Sequence, residues 1–403
     1  NLMRSKWVNK KRPILINNWE GTYFDFTEEK LLQMAEKAHQ AGVELFVLDD
    51  GWFGKRNNDT CSLGDWKVNY DKLPSGIDGL AEKINKIGMK FGLWFEPEMI
   101  SPDSDLYREH PDWAIHIDER EGVQSRNQMV LDLSRDEVCE YVINAVSDIL
   151  ANANIEYVKW DMNRQLTDMP RLGYNHEYTL GYYKIMSAIT EKFPNILFEG
   201  CSAGGGRFDA GVLAYMPQIW TSDNSDAIAR LKMQYSTSMC YPVYSISSHV
   251  TASPNHQCGR DTSLKTRADV AYCGTFGYEL DVTKMSDEEF EEIKAQIKFE
   301  KRIQDLMCNG DLYRLINPYE TNYCSWEVVS KDKKHIFVLA CKVLAVAQTK
   351  SEKVKLQGLD VNKRYRNMLT GKVYSGDFLM YHGIRVNYEM KDFSTVVFEF
   401  AEI

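Results

Sequence analysis

The stretch Tyr157-Val158-Lys159-Trp160-Asp161-Met162-Asn163-Arg164 is a short apolar run that ends in charge. In a strand Lys159 and Asp161 point to the same face. A cation beside a carboxylate lowers its pKa and keeps it ionised, which is the state an attacking carboxylate needs. A salt bridge at the rim of a sheet has the same signature. The neighbouring segments have to decide between the two.

Working outward, the same pattern recurs from about residue 13 to 310. Apolar runs lie at Pro13–Trp19, Leu45–Gly51, Phe91–Pro97, Ile196–Cys201, Ile219–Asp223 and Val243–His249, with a weaker one near Tyr278–Val282. Amphipathic helical stretches separate them. Ser134 with Glu137 reads as a capping box before Val138, Val142, Val146 and Ile149, and Ser286 with Glu289 as another before Phe290, Ile293 and Ile297. Gly42 reads as the C-cap of a helix over Glu28–Ala41. Strands alternating with helices over about 300 residues predict a (β/α)8 barrel, with a doubly wound open sheet as the alternative. The run ends favour the barrel. Trp19, Asp49–Asp50, Trp94–Glu96, Lys159–Asp161, Glu199–Cys201 and Asp223 all sit at C-terminal tips, which a barrel gathers into one mouth. After Gly310 short β-rich runs take over at Ile336–Leu339, Lys372–Tyr374 and Thr395–Phe400, with a tight turn at Thr370–Gly371. The expected domains are therefore residues 1–310, a barrel, and 311–403, a small antiparallel β-sandwich.

The chain has a net charge of −10, with acidic residues spread along it. That argues against nucleic acid, which needs a basic face. No apolar run is long enough to cross a bilayer. Nine cysteines, an odd number, include no CxxC pair and no zinc-like spacing, so they read as reduced thiols of a cytoplasmic protein. The chain opens on Asn1 and a basic, linker-like dozen residues, which reads as a fragment lacking an N-terminal part.

Three more run ends carry chemistry. In Ile219-Trp220-Thr221-Ser222-Asp223-Asn224-Ser225-Asp226 a carboxyl follows a tryptophan. An aromatic wall strips hydration from a carboxyl, raises its pKa and lets it hold a proton near neutrality. Asp223 or Ser225 equally fits the N-cap of the helix that carries Ile228 to Tyr235. Asp49-Asp50-Gly51-Trp52 places two carboxylates at one strand end, suited to adjacent sugar hydroxyls; in a strand they point to opposite faces, which leaves one for structure. Cys201-Ser202-Ala203-Gly204-Gly205-Gly206-Arg207 lets backbone approach a ligand closely, and it lacks the Gly-Lys-Ser/Thr finish of a phosphate loop.

Together these segments resemble glycoside hydrolase family 36, the bacterial α-galactosidases. The matching stretches are Ile16–Glu20, Tyr23–Phe26, Leu48–Gly54, Gly92–Met99, Lys159–Arg164, Cys201–Arg207 and Trp220–Asp226, in the family's order. The resemblance implies a (β/α)8 barrel, a C-terminal β-sandwich and a large N-terminal β-domain. It implies Asp161 as nucleophile and Asp223 as acid/base. Asp49 and Asp50 would bind the galactose 4- and 6-hydroxyls. Trp19, Trp94, Arg126, Lys159, Asn163, Cys201, Gly204 and Trp220 would line the same subsite. The family usually has glycine at Ala203 and often threonine at Ser225.

The expected reaction is hydrolysis of terminal α-galactosides with retention, needing no metal and no cofactor. The expected partners are α-galactoside substrates and other copies of the chain, with neither nucleic acid nor membrane among them. Three rivals stand beside it: α-N-acetylgalactosaminidase or galactosyl transfer on the same fold, a sugar-binding barrel without turnover, and a metal-dependent hydrolase built on Asp49, Asp50 and His249.

Overall fold

A computed structural model describes residues 3–4, 6–8, 10–347, 353–389 and 391–403. Asn1, Leu2, Ser5 and Asn9 of the basic opening segment lie outside the described residues. Strands β1 (Leu15–Asn17), β2 (Leu45–Leu48), β3 (Lys90–Phe95), β6 (Tyr157–Trp160), β7 (Leu197–Gly200), β8 (Gln218–Trp220), β9 (Ile246–Thr251) and β10 (Thr275–Glu279) form a closed barrel in the order β1-β10-β9-β8-β7-β6-β3-β2. The short pair β4 (Met99–Ile100) and β5 (Met129–Val130) lies apart from it. Neighbouring barrel strands pair in parallel from β1 through β8, for example Leu45 opposite Lys90 and Trp94 opposite Lys159. Strands buried along their whole length, such as Leu45–Leu48, are what a parallel barrel covered by helices requires. The open sheet is thus excluded.

The last two barrel strands are shifted from the sequence reading. Val243–Ser245 forms a 3-10 turn before β9, and β10 begins at Thr275, with Val282–Lys284 forming another turn. Both apolar runs include turn residues that hydrophobicity alone does not separate from strand.

Two of the helix signals hold. Helix α2 (Glu28–Ala41) ends at Gly42 with φ 100°, and α9 (Asp287–Asn309) opens on a complete Ser286/Glu289 capping box. The third does not. Helix α5 spans Asp136–Asn152 with Arg135 at its N-cap and no side-chain cap. The Ser134 hydroxyl donates instead to Asp132 Oδ1 at 2.6 Å, and Glu137 accepts from Arg135 at 2.7 Å. An aspartate two residues upstream outcompetes the helix for the serine.

By compactness the chain divides into two units: residues 1–8, 15–223 and 279–285, and residues 9–14, 224–278 and 286–403. The first holds β1–β8, the end of β10 and every residue of the expected galactoside site. The second holds β9, most of β10, helices α7 (Ala227–Thr237), α8 (Leu264–Ala271) and α9, and an antiparallel sheet. That sheet runs β11 (Asp311–Ile316), β12 (Tyr323–Val329), β13 (His335–Lys342), β18 (Ser394–Glu402), β15 (Arg364–Asn367), β16 (Val373–Ser375). A two-stranded sheet, β14 (Lys353–Val354) with β17 (Ile384–Arg385), joins it around one core of Val338, Tyr365, Phe400, Val354, Leu356 and Ile384. The Thr370–Gly371 turn closes the β15–β16 hairpin, with Gly371 at φ 73°. Among the described residues no helix is long and apolar enough to cross a membrane.

Candidate active site

Strand β6 delivers Asp161 one residue past its end. Its Oδ2 accepts from Trp94 Nε1 at 3.2 Å and Asn163 Nδ2 at 2.8 Å, and its Oδ1 accepts from Met162 N at 2.8 Å. The Cys201 thiol also reaches it, and burial together with the charges of Asp161 and Asp223 holds that thiol well above the usual range. Three adjacent barrel tips thus meet at one carboxylate.

Lys159 does not meet Asp161 as the sequence pattern suggests. Its Nζ donates to Asp49 Oδ2 at 2.8 Å, an oxygen that also accepts from Asn17 Nδ2 at 2.6 Å. Burial works against the ammonium, yet Asp49 first, then Glu279, Cys201 and Asp161, keep its pKa well above lysine's ordinary value. The pattern rule looks along one strand, whereas in a barrel the next strands bring closer partners. Lys159 Nζ also lies 6.0 Å from the centre of the Trp220 ring.

Strand β2 ends at Leu48, so Asp49 and Asp50 are both loop residues and are not fixed on opposite faces. Asp50 faces Arg56, whose Nε and Nη2 donate to its carboxylate at 2.8 Å each. Both side chains are buried. The structural role suspected for one of the two acids falls to Asp50, at least in part.

Asp223 lies three residues past β8 and keeps part of its surface open. It does not cap α7. Asp226 does, accepting from Ala229 N at 2.8 Å, while Ser225 accepts from Asn255. Burial and then the charge of Asp161 raise the Asp223 carboxyl to about 6, against the pull of Lys159 and Arg126. Arg126 sits on an exposed arm in a left-handed conformation, φ 52°.

The glycine loop is explained by a backbone contact. Gly204 has φ +88°, and a Cβ there would stand 2.4 Å from Ser222 Cα and 2.7 Å from Asp223 N. Gly204 bridges Ser222. Its bareness serves the strand end that carries Asp223, rather than only a ligand. Ala203 next to it takes φ 45°, where a Cβ is disfavoured. Trp94 is buried, stacked 6.3 Å from Phe53, and Trp19 is half-buried between Tyr23 and Phe24.

The structure therefore brings Asp49, Trp94, Lys159, Asp161, Asn163, Cys201, Gly204, Trp220 and Asp223 into one connected cluster, with Asp50, Trp19 and Arg126 at its edges. Sequence reading missed Asn17, Arg56, Gln128 and Glu279 as participants, and gave Glu96 no role. Asn17 and Glu96 lay in quoted stretches at strand tips. Arg56 and Gln128 lie in loops whose sequence carries no such signal. Among the described residues no three His, Cys, Asp or Glu side chains converge to hold a metal ion.

Fold and site define a (β/α)8-barrel protein with two unlike carboxyl groups, Asp161 and Asp223, just past the ends of its strands, the charge of the first raising the pKa of the second. The Melibiase model matches residues 1–310 and the glycosyl hydrolase family 36 C-terminal domain matches residues 323–400, so the chain belongs to glycoside hydrolase family 36. α-Galactosidase AgaA of Geobacillus stearothermophilus is 50% identical to it over 410 residues, covering 100% of this chain and 56% of the relative. α-Galactosidase Mel36A of Lactobacillus acidophilus is 48% identical, with the same coverages. The crystal structure of AgaA superposes with a TM-score of 0.97, covering 100% of this chain and 57% of that one. A variant of AgaA in complex with raffinose gives 0.98 at 49% identity, again covering 100% and 57%. The chain spans 56% of the length of these two curated relatives.

Proposed function

We propose that this chain carries the catalytic part of a retaining α-galactosidase that releases terminal α-D-galactosyl residues from galacto-oligosaccharides by double displacement. The observation that carries the reading is the inequality of the two carboxyl groups. Asp161 is fixed by three hydrogen-bond donors, and Asp223 is raised to about 6. One is built to attack and the other to hold a proton, the division of labour that glycoside hydrolysis uses.

In the proposed cycle Asp161 attacks the anomeric carbon as Asp223 protonates the departing oxygen. Asp223 then takes a proton from the water that releases galactose. The double displacement requires neither a metal nor a redox cofactor. Asp49 and Asp50 accept from the 4- and 6-hydroxyls, and Lys159, Asn163, Cys201, Gly204, Arg126 and the indoles of Trp19, Trp94 and Trp220 line the subsite. Variants of AgaA are described in complex with raffinose and with stachyose, and substrates of that class are proposed here. We assign residues 1–310 to the catalytic barrel and 311–403 to the C-terminal domain. The nine cysteines are all unpaired, which fits a reducing cytoplasm, and the working form is proposed to be a homo-oligomer.

The test is turnover of p-nitrophenyl α-galactoside against the α-glucoside and the α-N-acetylgalactosaminide, with NMR of the first-formed sugar. α-Galactose as the first product supports the proposal. β-Galactose overturns the double displacement, and preference for the acetamido sugar moves the substrate class.

A further inference from the structure

Glu96 follows β3 directly and is 1% exposed. Its Oε1 accepts from Gln128 Nε2 at 3.1 Å and also, at close range, from the backbone N–H of Asn163. Asn163 in turn donates to Asp161 Oδ2 at 2.8 Å. On the other side Gln128 pairs with Ser125 through two backbone hydrogen bonds of 3.2 Å, closing the turn whose tip is Arg126 and Asn127, both left-handed at φ 52° and 58°. One carboxyl oxygen therefore ties the turn behind Asp161 to the arm that carries Arg126.

We propose that Glu96 is a positioning residue, which aims Asp161 and seats the Arg126 arm through this shared oxygen and works as a neutral carboxylic acid. The proposal rests on the functional reading above, in which Asp161 attacks. Two ionised carboxylates cannot share a buried site at low cost. Burial first, and then the charge of Asp161, lift Glu96 to about 8. The charged groups that face it are Asp161 from the tip of β6 and Arg56 from the loop after β2, and Arg56 is already engaged by Asp50. Between pH 5 and 7 Glu96 thus stays protonated. As pH rises through about 8 it ionises, places a second negative charge against the nucleophile, and the attack slows.

The experiment uses Glu96→Gln and Glu96→Ala with 2,4-dinitrophenyl α-galactoside, whose leaving group needs no proton, so titration of Asp223 does not mask the alkaline limb. Glutamine is neutral and keeps the accepting oxygen. Its kcat/KM is expected within about 3-fold of wild type at pH 6, whereas alanine, which frees the turn, loses about 100-fold. The wild-type fall in kcat/KM near pH 8 should be absent in Glu96→Gln. Independently of turnover, a 13C-labelled carboxyl resonance titrating near pH 8 should be present in wild type and missing from Glu96→Gln. Persistence of the alkaline fall or of the resonance in Glu96→Gln overturns the proposal, as does an alanine variant as active as wild type. If alanine prevents folding, the glutamine profile and the resonance still decide. A wild-type chain without α-galactoside turnover defeats the functional reading instead, and the resonance then decides the state of Glu96 by itself.

Discussion

An attacking carboxylate has to be ionised and has to be still. Asp161, the proposed nucleophile, gains stillness from the Trp94 indole, the Asn163 amide and its own turn's N–H, while Asp223, the proposed acid, keeps part of its surface open. The assigned roles can be separated by azide. Asp161→Ala should lose nearly all turnover and regain some with azide, giving β-galactosyl azide by direct attack. Asp223→Ala should keep fast glycosylation with leaving groups that need no proton and give the α-azide through the intermediate. The opposite pairing of products would reverse the roles. The pH dependence follows from the same residues. Asp223, at about 6 in the free enzyme, is protonated below that pH, so kcat/KM for substrates whose leaving group needs a proton should fall as pH rises through about 6. Arg126 pulls the Asp223 carboxyl down, so Arg126→Gln should move this limb to higher pH. A limb that stays in place, or moves lower, would remove Arg126 from the electrostatics of the acid.

At the scale of the element, the two capping sequences show what a local motif can and cannot settle. Ser286 and Glu289 cap α9 reciprocally, while Ser134 is drawn away by Asp132. Ser286→Ala should therefore cost about 1 kcal/mol of stability by removing a cap, a loss that Ser134→Ala would incur only through the Asp132 turn. Strand β12 holds a second test. Glu327 is fully buried, its Oε2 accepts the Gln357 N–H at 2.8 Å, and its Oε1 has no hydrogen-bond partner among the described residues. Burial pushes this carboxyl up to about 8. A folded-state pKa above the unfolded one gives stability that is complete below the unfolded value, near 4.5, and is lost as pH rises towards about 8. The loss is on the order of 3–5 kcal/mol for a shift of this size. Glu327→Gln, neutral at every pH, should match wild type in thermal melts near pH 4, exceed it at pH 8 and flatten the profile between. Equal slopes for the two proteins would mean that Glu327 does not carry this dependence.

For the whole molecule, the barrel was legible because six of its eight strands end in chemistry: Trp19, Asp49, Trp94, Asp161, Cys201 and Asp223 fall at tips that only a closed barrel brings together. What could not be read was partnership across strands. Lys159 sits two residues before Asp161 yet bonds Asp49, more than a hundred residues away in sequence, and Arg56 is a loop residue whose destination under Asp50 has no periodicity to betray it. Those partnerships change what specificity should look like. The proposed sugar site meets the sugar hydroxyls with polar groups, and a site built on such groups rejects an analogue that leaves them unpaired by several orders of magnitude. An α-glucoside presents its 4-hydroxyl equatorially, away from Asp49 and Asp50, so the chain should turn over α-galactosides far faster than α-glucosides. Asp50→Asn should lose both kcat and kcat/KM on the galactoside, but the substitution also strips the buried Arg56 of its counter-ion. Removing one partner of such a pair typically costs about 3–5 kcal/mol, so the variant should melt lower as well as work more slowly. The two effects separate on bound ligand and temperature. Assayed well below its melting transition, Asp50→Asn should still lose discrimination between the two sugars, because the axial hydroxyl then meets a neutral amide in place of a charged acceptor. If discrimination survives while stability falls, Asp50 serves only to hold Arg56, and recognition of the axial hydroxyl belongs to Asp49.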